Sequence, residues 1–204
     1  ASPVNKKRVK EGKLAANIIL NRDAGNGLPK FASMNERYGM SFGCIVEMPV
    51  ERGIALLTGM HPIEVPVSQE SLEQRYGTVV QAVLDNLPRF DGIYVHIKGP
   101  DVPGHDGDYE LKKEIIEKID RFFIVPLLGK VDIAQTVFIV TADHSTPCLM
   151  KVHSDDPVPI LVSGGHIQPD GVKKFSEKAC VKGELGEMMG LDVMPTVVNR
   201  LRSQ

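Results

Sequence analysis

Tryptophan is absent from this 204-residue chain, and aromatic residues make up only 5% of it. So few rings leave little material for stacking platforms that grip bases or sugars. An excess of charge of one sign is also lacking: 24 Lys and Arg against 26 Asp and Glu give a formal net charge of −2. No basic field draws in nucleic acid or anionic lipid, so neither is expected as a partner. No apolar run approaches the ~20 residues of a membrane span, and no signal-peptide pattern opens the sequence. The three cysteines, Cys44, Cys148 and Cys180, are odd in number and widely spaced. That argues against a disulfide framework and for a reducing, cytoplasmic setting. Nucleotide signatures are missing too: there is no G-x-x-x-x-G-K-[ST] and no G-x-G-x-x-G after a strand. No internal repeat or low-complexity tract stands out.

What is present is the profile of a soluble globular protein, 42% hydrophobic and 25% charged. The length suits about one domain or one and a half. The chain opens on Ala1 rather than Met and runs straight into charge, as expected of a piece of a longer chain. Residues 1–16 are basic and mixed, a short helix or a solvated arm. Ile18-Ile19-Leu20 suggests a buried strand feeding the turn chemistry of Asn21 to Gly27. Phe42–Val46 and Ile54–Leu57 are short apolar stretches, and Ile63–Val67 reads as a strand with Pro66 near its end. Ser68 and the Glu-rich turn after it suggest a helix start. Val79, Val80, Val83, Leu84 and Leu87 then share one helical face, and Pro88 stops it. A domain boundary is therefore expected near residue 68, dividing 1–68 from 69–204. Beyond it the pattern predicts a strand over Gly92–Ile97, a loop over Lys98–Asp108 and an amphipathic helix over 109–123, with Leu111, Ile115, Ile119 and Phe122 as its stripe. Val137–Thr141 reads as a buried parallel strand, Asp143–Ser154 as a polar loop, Val158–Val162 as a third strand and Leu191–Leu201 as a closing helix.

Metal-ligand residue types gather where these strands end, and open parallel sheets build their sites at that edge. Asp101-x-x-x-His105 follows the first strand, Asp143-His144 follows the second, and His153 lies nine residues further on. Carboxylate and neutral imidazole together suit a divalent transition metal. A mixed O/N set without a cysteine pair points to a catalytic rather than a structural ion. Each element also has a plainer reading. Asp143-His144 can be a solvated turn, and Asp101/His105 a hydrogen-bonded turn. Asp108 is best read as the cap of the following helix. His61, His96 and His166 lack the same context, and His96, alternating within a strand, reads as a hydrogen-bonded structural histidine.

At these residues the sequence resembles the alkaline phosphatase superfamily, in which an Asp-x-x-x-His, an Asp-His pair and a downstream His hold two metals. Within it the chain is more specifically similar to the archaeal-type cofactor-independent phosphoglycerate mutases. The similarity runs from His96 through Asp108, Thr141 through Pro147, His153 through Pro159, and Gly190 to Thr196. Upstream, Pro3-Val4-Asn5 and Ala16 to Gly25 resemble the later part of that family's inserted domain. The resemblance implies an α/β fold: an incomplete three-layer, parallel-sheet phosphatase-like domain plus part of an inserted α/β domain that positions the substrate. It implies two divalent ions, Mn²⁺ first, then Zn²⁺, Co²⁺ or Mg²⁺. Asp101, His105 and His153 would hold one, and Asp143 and His144 would supply part of the other. The family's nucleophilic Ser and a further Asp come from an N-terminal segment that this sequence does not include. Ser145 and Ser154 do not occupy the nucleophile position, so the chain alone is expected to be inactive and to need the missing N-terminal half. The implied reaction is interconversion of 2- and 3-phosphoglycerate, in glycolysis and gluconeogenesis, by metal-dependent phosphoryl transfer through a phosphoserine. Arg22 and Lys98 are the candidates for gripping substrate carboxylate or phosphate.

Two departures bear on the substrate. Arg22-Asp23-Ala24-Gly25 stands where the family has Arg-Gly-Ala-Gly, and Pro66 is followed by Val67-Ser68-Gln69-Glu70 in place of Gly-Ala-Thr-Gly. They leave open a related phosphotransferase or phosphatase acting on another small phosphate ester, homoserine kinase-like for instance. A non-catalytic metal-binding fragment is the reading from another class.

Overall fold

The computed structural model describes residues 2–18, 25–66 and 71–202. They fall into two compact units, residues 1–31 and 32–204. In the first, helix α1 (Pro3–Lys10) begins on the Ser2 side chain, which accepts from the Val4 N–H, and has Pro at its first position. The Asn5 side chain clasps the returning chain: its amide donates to Ala16 O at 2.9 Å and its oxygen accepts from Ala16 N at 2.7 Å. The basic opening is thus a short helix. The strand expected at Ile18-Ile19-Leu20 lies outside the described residues beyond Ile18, which is exposed.

The second unit starts with α2 (Met34–Tyr38), framed by a Ser33/Glu36 capping box and by Gly39 at φ 63. Next come β1 (Phe42–Ile45), α3 (Pro49–Leu57), β2 (His61–Pro62), α4 (Leu72–Asn86) and β3 (Gly92–Val95). The three strands form a parallel sheet in the order β2-β1-β3, with Phe42 opposite Gly92 and Ile45 opposite Val95. The strand expected at Ile63–Val67 is displaced toward the N-terminus. Pairing covers His61–Pro62, and Ile63 N still donates to Cys44 O at 2.8 Å. The expected boundary near residue 68 falls among residues not described. On either side of it, β1 and β3 belong to one sheet.

The sheet is covered on both faces, because alternate side chains of a strand point opposite ways. Ile45 packs with Tyr76, Val79, Val80 and Val83 of α4, and with Phe123 and Leu127 beyond them. This is the stripe the sequence predicts, although α4 starts at a Ser71/Gln74 capping box rather than at Ser68. Phe42, on the opposite side, packs with Tyr38 and with Val198 of the closing helix.

The predicted loop over 98–108 is in part helical: α5 spans Asp101–Asp106 and ends on Gly107 at φ 79. Asp108 caps α6 (Tyr109–Ile119) by accepting from Leu111 N at 3.0 Å. A wide π turn (Asp120–Ile124) then leads into α7 (Val125–Leu128). The second sheet corrects the sequence reading. β4 (Val137–Thr141) does not extend the parallel sheet as a buried strand. It pairs antiparallel with β5 (Ile160–Gly164), Thr141 opposite Ile160, and both strands are only partly buried. A parallel pair needs a crossover, usually a helix. The segment joining these strands instead folds back on itself through a Ser145–Ser154 bridge. Short α8 (Glu177–Cys180) and α9 (Gly190–Arg202), with Pro195 inside it, close the chain. No helix among the described residues is long and apolar enough to cross a membrane.

Candidate metal centre

Helical spacing puts Asp101, the first residue of α5, on the same face as His105 four residues later. The helix lies tight against the loop after β4. A Cβ on Gly104 would sit 2.7 Å from Thr146 O, so glycine is what allows the approach. Thr146 is 3% exposed and joins the two segments. Its hydroxyl donates to Asp101 Oδ1 at 2.6 Å and meets His144 Nδ1 at 3.1 Å.

Two features bring in the remaining imidazoles. Ser154 N donates to Ser145 O at 3.1 Å. That closes the loop and stacks His153 on His144, with ring centroids 3.8 Å apart and His105 5.0 Å from His153. The turn after Pro147 carries Lys151 at φ 58, the one non-glycine with positive φ among the described residues. Its carbonyl accepts from His105 Nδ1 at 3.0 Å.

These contacts settle which nitrogens are free. His105 Nδ1 faces a carbonyl and must carry the proton. Thr146 gives its only proton to Asp101, so it can only accept from His144 Nδ1–H. In the neutral form of each ring the Nε2 then carries the lone pair, the state in which imidazole binds a metal. Asp101 Oδ1 lies 3.5 Å from His105 Nε2 and 3.5 Å from His153 Nε2. About 3.4 Å is the separation of two donors each about 2.1 Å from a tetrahedral ion. Asp101, His144 and His153 also offer ligand atoms all within 4.8 Å of one another. Burial pushes the Asp101 carboxyl up, but the Thr146 hydrogen bond and the positive charge that His105, His144 and His153 carry when protonated hold it below its ordinary value. The donor set therefore fits a divalent ion.

Asp143 sits at the rim. Its Oδ1 accepts from His144 N at 3.1 Å, and its Oδ2 lies 3.5 Å from His144 Nε2. Of the five predicted ligands, Asp101, His144 and His153 converge on one another, while His105 lies beside Asp101 and Asp143 beside His144. Lys98 lies beside it, held by Glu51 Oε1 at 2.7 Å. That hydrogen bond raises the lysine pKa against the lowering by burial, and the charges of Glu51, Asp143 and Asp101 add to the rise. Arg22 lies outside the described residues. Sequence reasoning missed Thr146 and Glu51. It read His96 as a hydrogen-bonded structural histidine; His96 Nδ1 meets the Tyr94 hydroxyl at 3.1 Å, and its Nε2 lies 3.7 Å from Asp143 Oδ2.

With this geometry in place, the comparisons with known proteins identify the class. Residues 13–200 match the model of the Metalloenzyme superfamily, and the chain belongs to that superfamily. Among curated proteins it is similar to the 2,3-bisphosphoglycerate-independent phosphoglycerate mutases of Aeropyrum pernix (45% identical, 92% of this chain and 45% of the relative) and Thermoplasma volcanium (42% identical, 90% and 44%). Among solved structures it resembles a Pyrococcus horikoshii protein, with TM-score 0.82, 33% identity, and 98% of this chain covered against 53% of the other. It also resembles the cofactor-independent phosphoglycerate mutase of Thermoplasma acidophilum, with TM-score 0.65, 30% identity, and coverage of 98% and 47%. The chain spans about half the length of the curated relatives it matches.

Proposed function

We propose that this chain is the C-terminal half of a 2,3-bisphosphoglycerate-independent phosphoglycerate mutase that interconverts 2- and 3-phosphoglycerate in the cytoplasm, in glycolysis and gluconeogenesis. The observation that carries this is the convergence of Asp101, His144 and His153, flanked by His105 and Asp143, in a chain similar to proteins of that name. Those names favour the mutase over the phosphatase, homoserine kinase-like and non-catalytic readings.

Asp101, His105 and His153 would hold one ion, and Asp143 and His144 would give part of a second, Mn²⁺ before Zn²⁺, Co²⁺ or Mg²⁺. Bound there, the ions would lower the pKa of a serine hydroxyl and neutralise charge on a transferring phosphoryl group. The chain's own residues position and screen. Thr146 and the Lys151 carbonyl keep the imidazoles in one tautomer. Lys98 has three donors. Glu51 takes one, and the others would hold the phosphate or carboxylate of the substrate, with Arg22 as the second cation. The serine would come from the missing half. Ser154, whose hydroxyl donates to Asp156 at 2.6 Å, is not at the family's nucleophile position. The pairing of β1 with β3 supports counting residues 42–62 with the metal-binding part. The inserted, substrate-positioning part is then read as the compact unit that ends before residue 32.

The test is to measure metal content by mass spectrometry and mutase turnover for the full-length gene product and for this chain alone. The expected result is two ions and turnover in the full-length protein, and metal binding without turnover in the chain. A full-length protein that turns over without divalent metal, or that leaves both phosphoglycerates untouched, would overturn the reading.

A further inference from the structure

His96 is the least exposed of the histidines around the site, at 13%, and is not among the proposed ligands. Its backbone is fixed, because His96 N donates to Ile45 O at 2.9 Å and continues the β1–β3 ladder past Val95. Tyr94, two residues earlier, projects from the same face of the strand. Its hydroxyl meets His96 Nδ1 at 3.1 Å. Glu51, in the first turn of α3, lies 3.6 Å from the same nitrogen. Burial pushes the Glu51 carboxyl up, but its bonds to Lys98 and to Met48 N, together with the nearby His96, hold it below its ordinary value. The Tyr94 hydroxyl thus anchors the ring on its Nδ1 side, and its Nε2 lies 3.7 Å from Asp143 Oδ2. A lone pair on Nε2 would face a carboxylate. The Nε2–H tautomer and the imidazolium both place a proton there instead, and Tyr94 can donate to the Nδ1 lone pair of the former.

We propose that His96 is a positioning residue: anchored by the Tyr94 hydroxyl, it presents an N–H to the Asp143 carboxylate and keeps that half-exposed side chain turned toward the metal cluster. Carboxylates that bind metals are commonly held by such outer hydrogen bonds, and losing one typically costs 10–100-fold in metal affinity. The inference rests on Asp143 being a ligand.

The experiment titrates Mn²⁺ into the metal-stripped full-length gene product and follows free ion by electron paramagnetic resonance. His96→Gln places an amide N–H near the position of Nε2, whereas His96→Asn is too short to reach. One ion should bind about 10–100-fold more weakly in His96→Asn and within about threefold of wild type in His96→Gln. Tyr94→Phe should fall between them, and Asp143→Ala should weaken the same ion. Circular dichroism confirms that each variant is folded. Wild-type binding in His96→Asn with weakened binding in Asp143→Ala overturns the positioning role alone. Wild-type binding in both overturns the ligand reading of Asp143 as well. Equal weakening in His96→Asn and His96→Gln would show that the ring acts by packing, and overturns the proposed N–H.

Discussion

Replacing Thr146 by Val keeps the side chain's shape and removes one hydroxyl that two proposed ligands share. That hydroxyl donates to the Asp101 carboxylate at 2.6 Å, and a hydrogen bond to a charged group contributes about 1.5–3 kcal/mol. It also accepts from His144 Nδ1 at 3.1 Å, so the variant leaves that N–H without its partner, which costs about 1–3 kcal/mol where water cannot reach. Thr146 itself is 3% exposed, so no water replaces its oxygen, whereas the His144 and Asp101 side chains keep 32% and 42% of their surface and regain part of the loss. The net expectation is about 2–3 kcal/mol of metal-free stability. That is a fall in melting temperature of roughly 4–12 °C by the usual scaling for chains of this size. Metal affinity should fall about 10–100-fold, because Asp101 and the His144 tautomer are no longer fixed. Thr146→Ser, which keeps the hydroxyl, should retain the affinity. Differential scanning calorimetry without metal and a chelator-competition titration with Mn²⁺ read the two effects separately. A Val variant that melts with wild type and binds metal equally well would refute the bridge.

Gly104→Ala should destabilise the fold by about 1–3 kcal/mol and weaken metal binding, because its new Cβ meets Thr146 O at 2.7 Å and backbone cannot swing aside; a chemical denaturation curve checks it. At Lys151, φ 58 costs a non-glycine residue about 1–2 kcal/mol. Lys151→Gly should therefore be neutral to slightly stabilising. Lys151→Val should destabilise and free His105 from the Lys151 carbonyl, read as a change in the imidazole tautomer by nitrogen NMR. Asp91 accepts from Ser41 N at 2.7 Å and from Ser41 Oγ at 2.8 Å, which holds its pKa below the ordinary 3.8. A carboxyl depressed in the folded state contributes stability above its unfolded pKa and loses it as pH falls through the folded one. Ser41→Ala should thus be less stable than wild type at neutral pH, with the gap closing in acid below 3.8; a gap that widens there would contradict the assignment.

The readable features of the sequence depend on short spacings. The α4 stripe at Val79, Val80 and Val83 and the Asp108 cap appear where the pattern places them, since helical period and capping are local. The Asp-x-x-x-His and Asp-His pairs are local as well, and they hold four of the five proposed ligands, His153 lying nine residues past the second pair. The helix inside the 98–108 loop was hidden because Gly99, Pro100, Pro103 and Gly104 read as loop chemistry. Pro103 and Gly104 are instead buried where α5 meets the Thr146 loop.

Composition and motif therefore sufficed to suggest an α/β chain and to place carboxylates and imidazoles at the ends of strands. The sequence could not say how those ends meet. Val137–Thr141 is apolar enough for a buried parallel strand, yet it pairs antiparallel with Ile160–Gly164, because strand direction is set by how the joining segment folds and not by hydropathy. Thr146 bonds to Asp101 across 45 residues and His105 to Lys151 across 46. Glu51, Tyr94, His96 and Asp143 come together from a helix, a strand and two loops. Side chains that only tertiary packing makes neighbours leave no spacing to read, so the proposed ligands were legible in the sequence and the groups that orient them were decided by the fold.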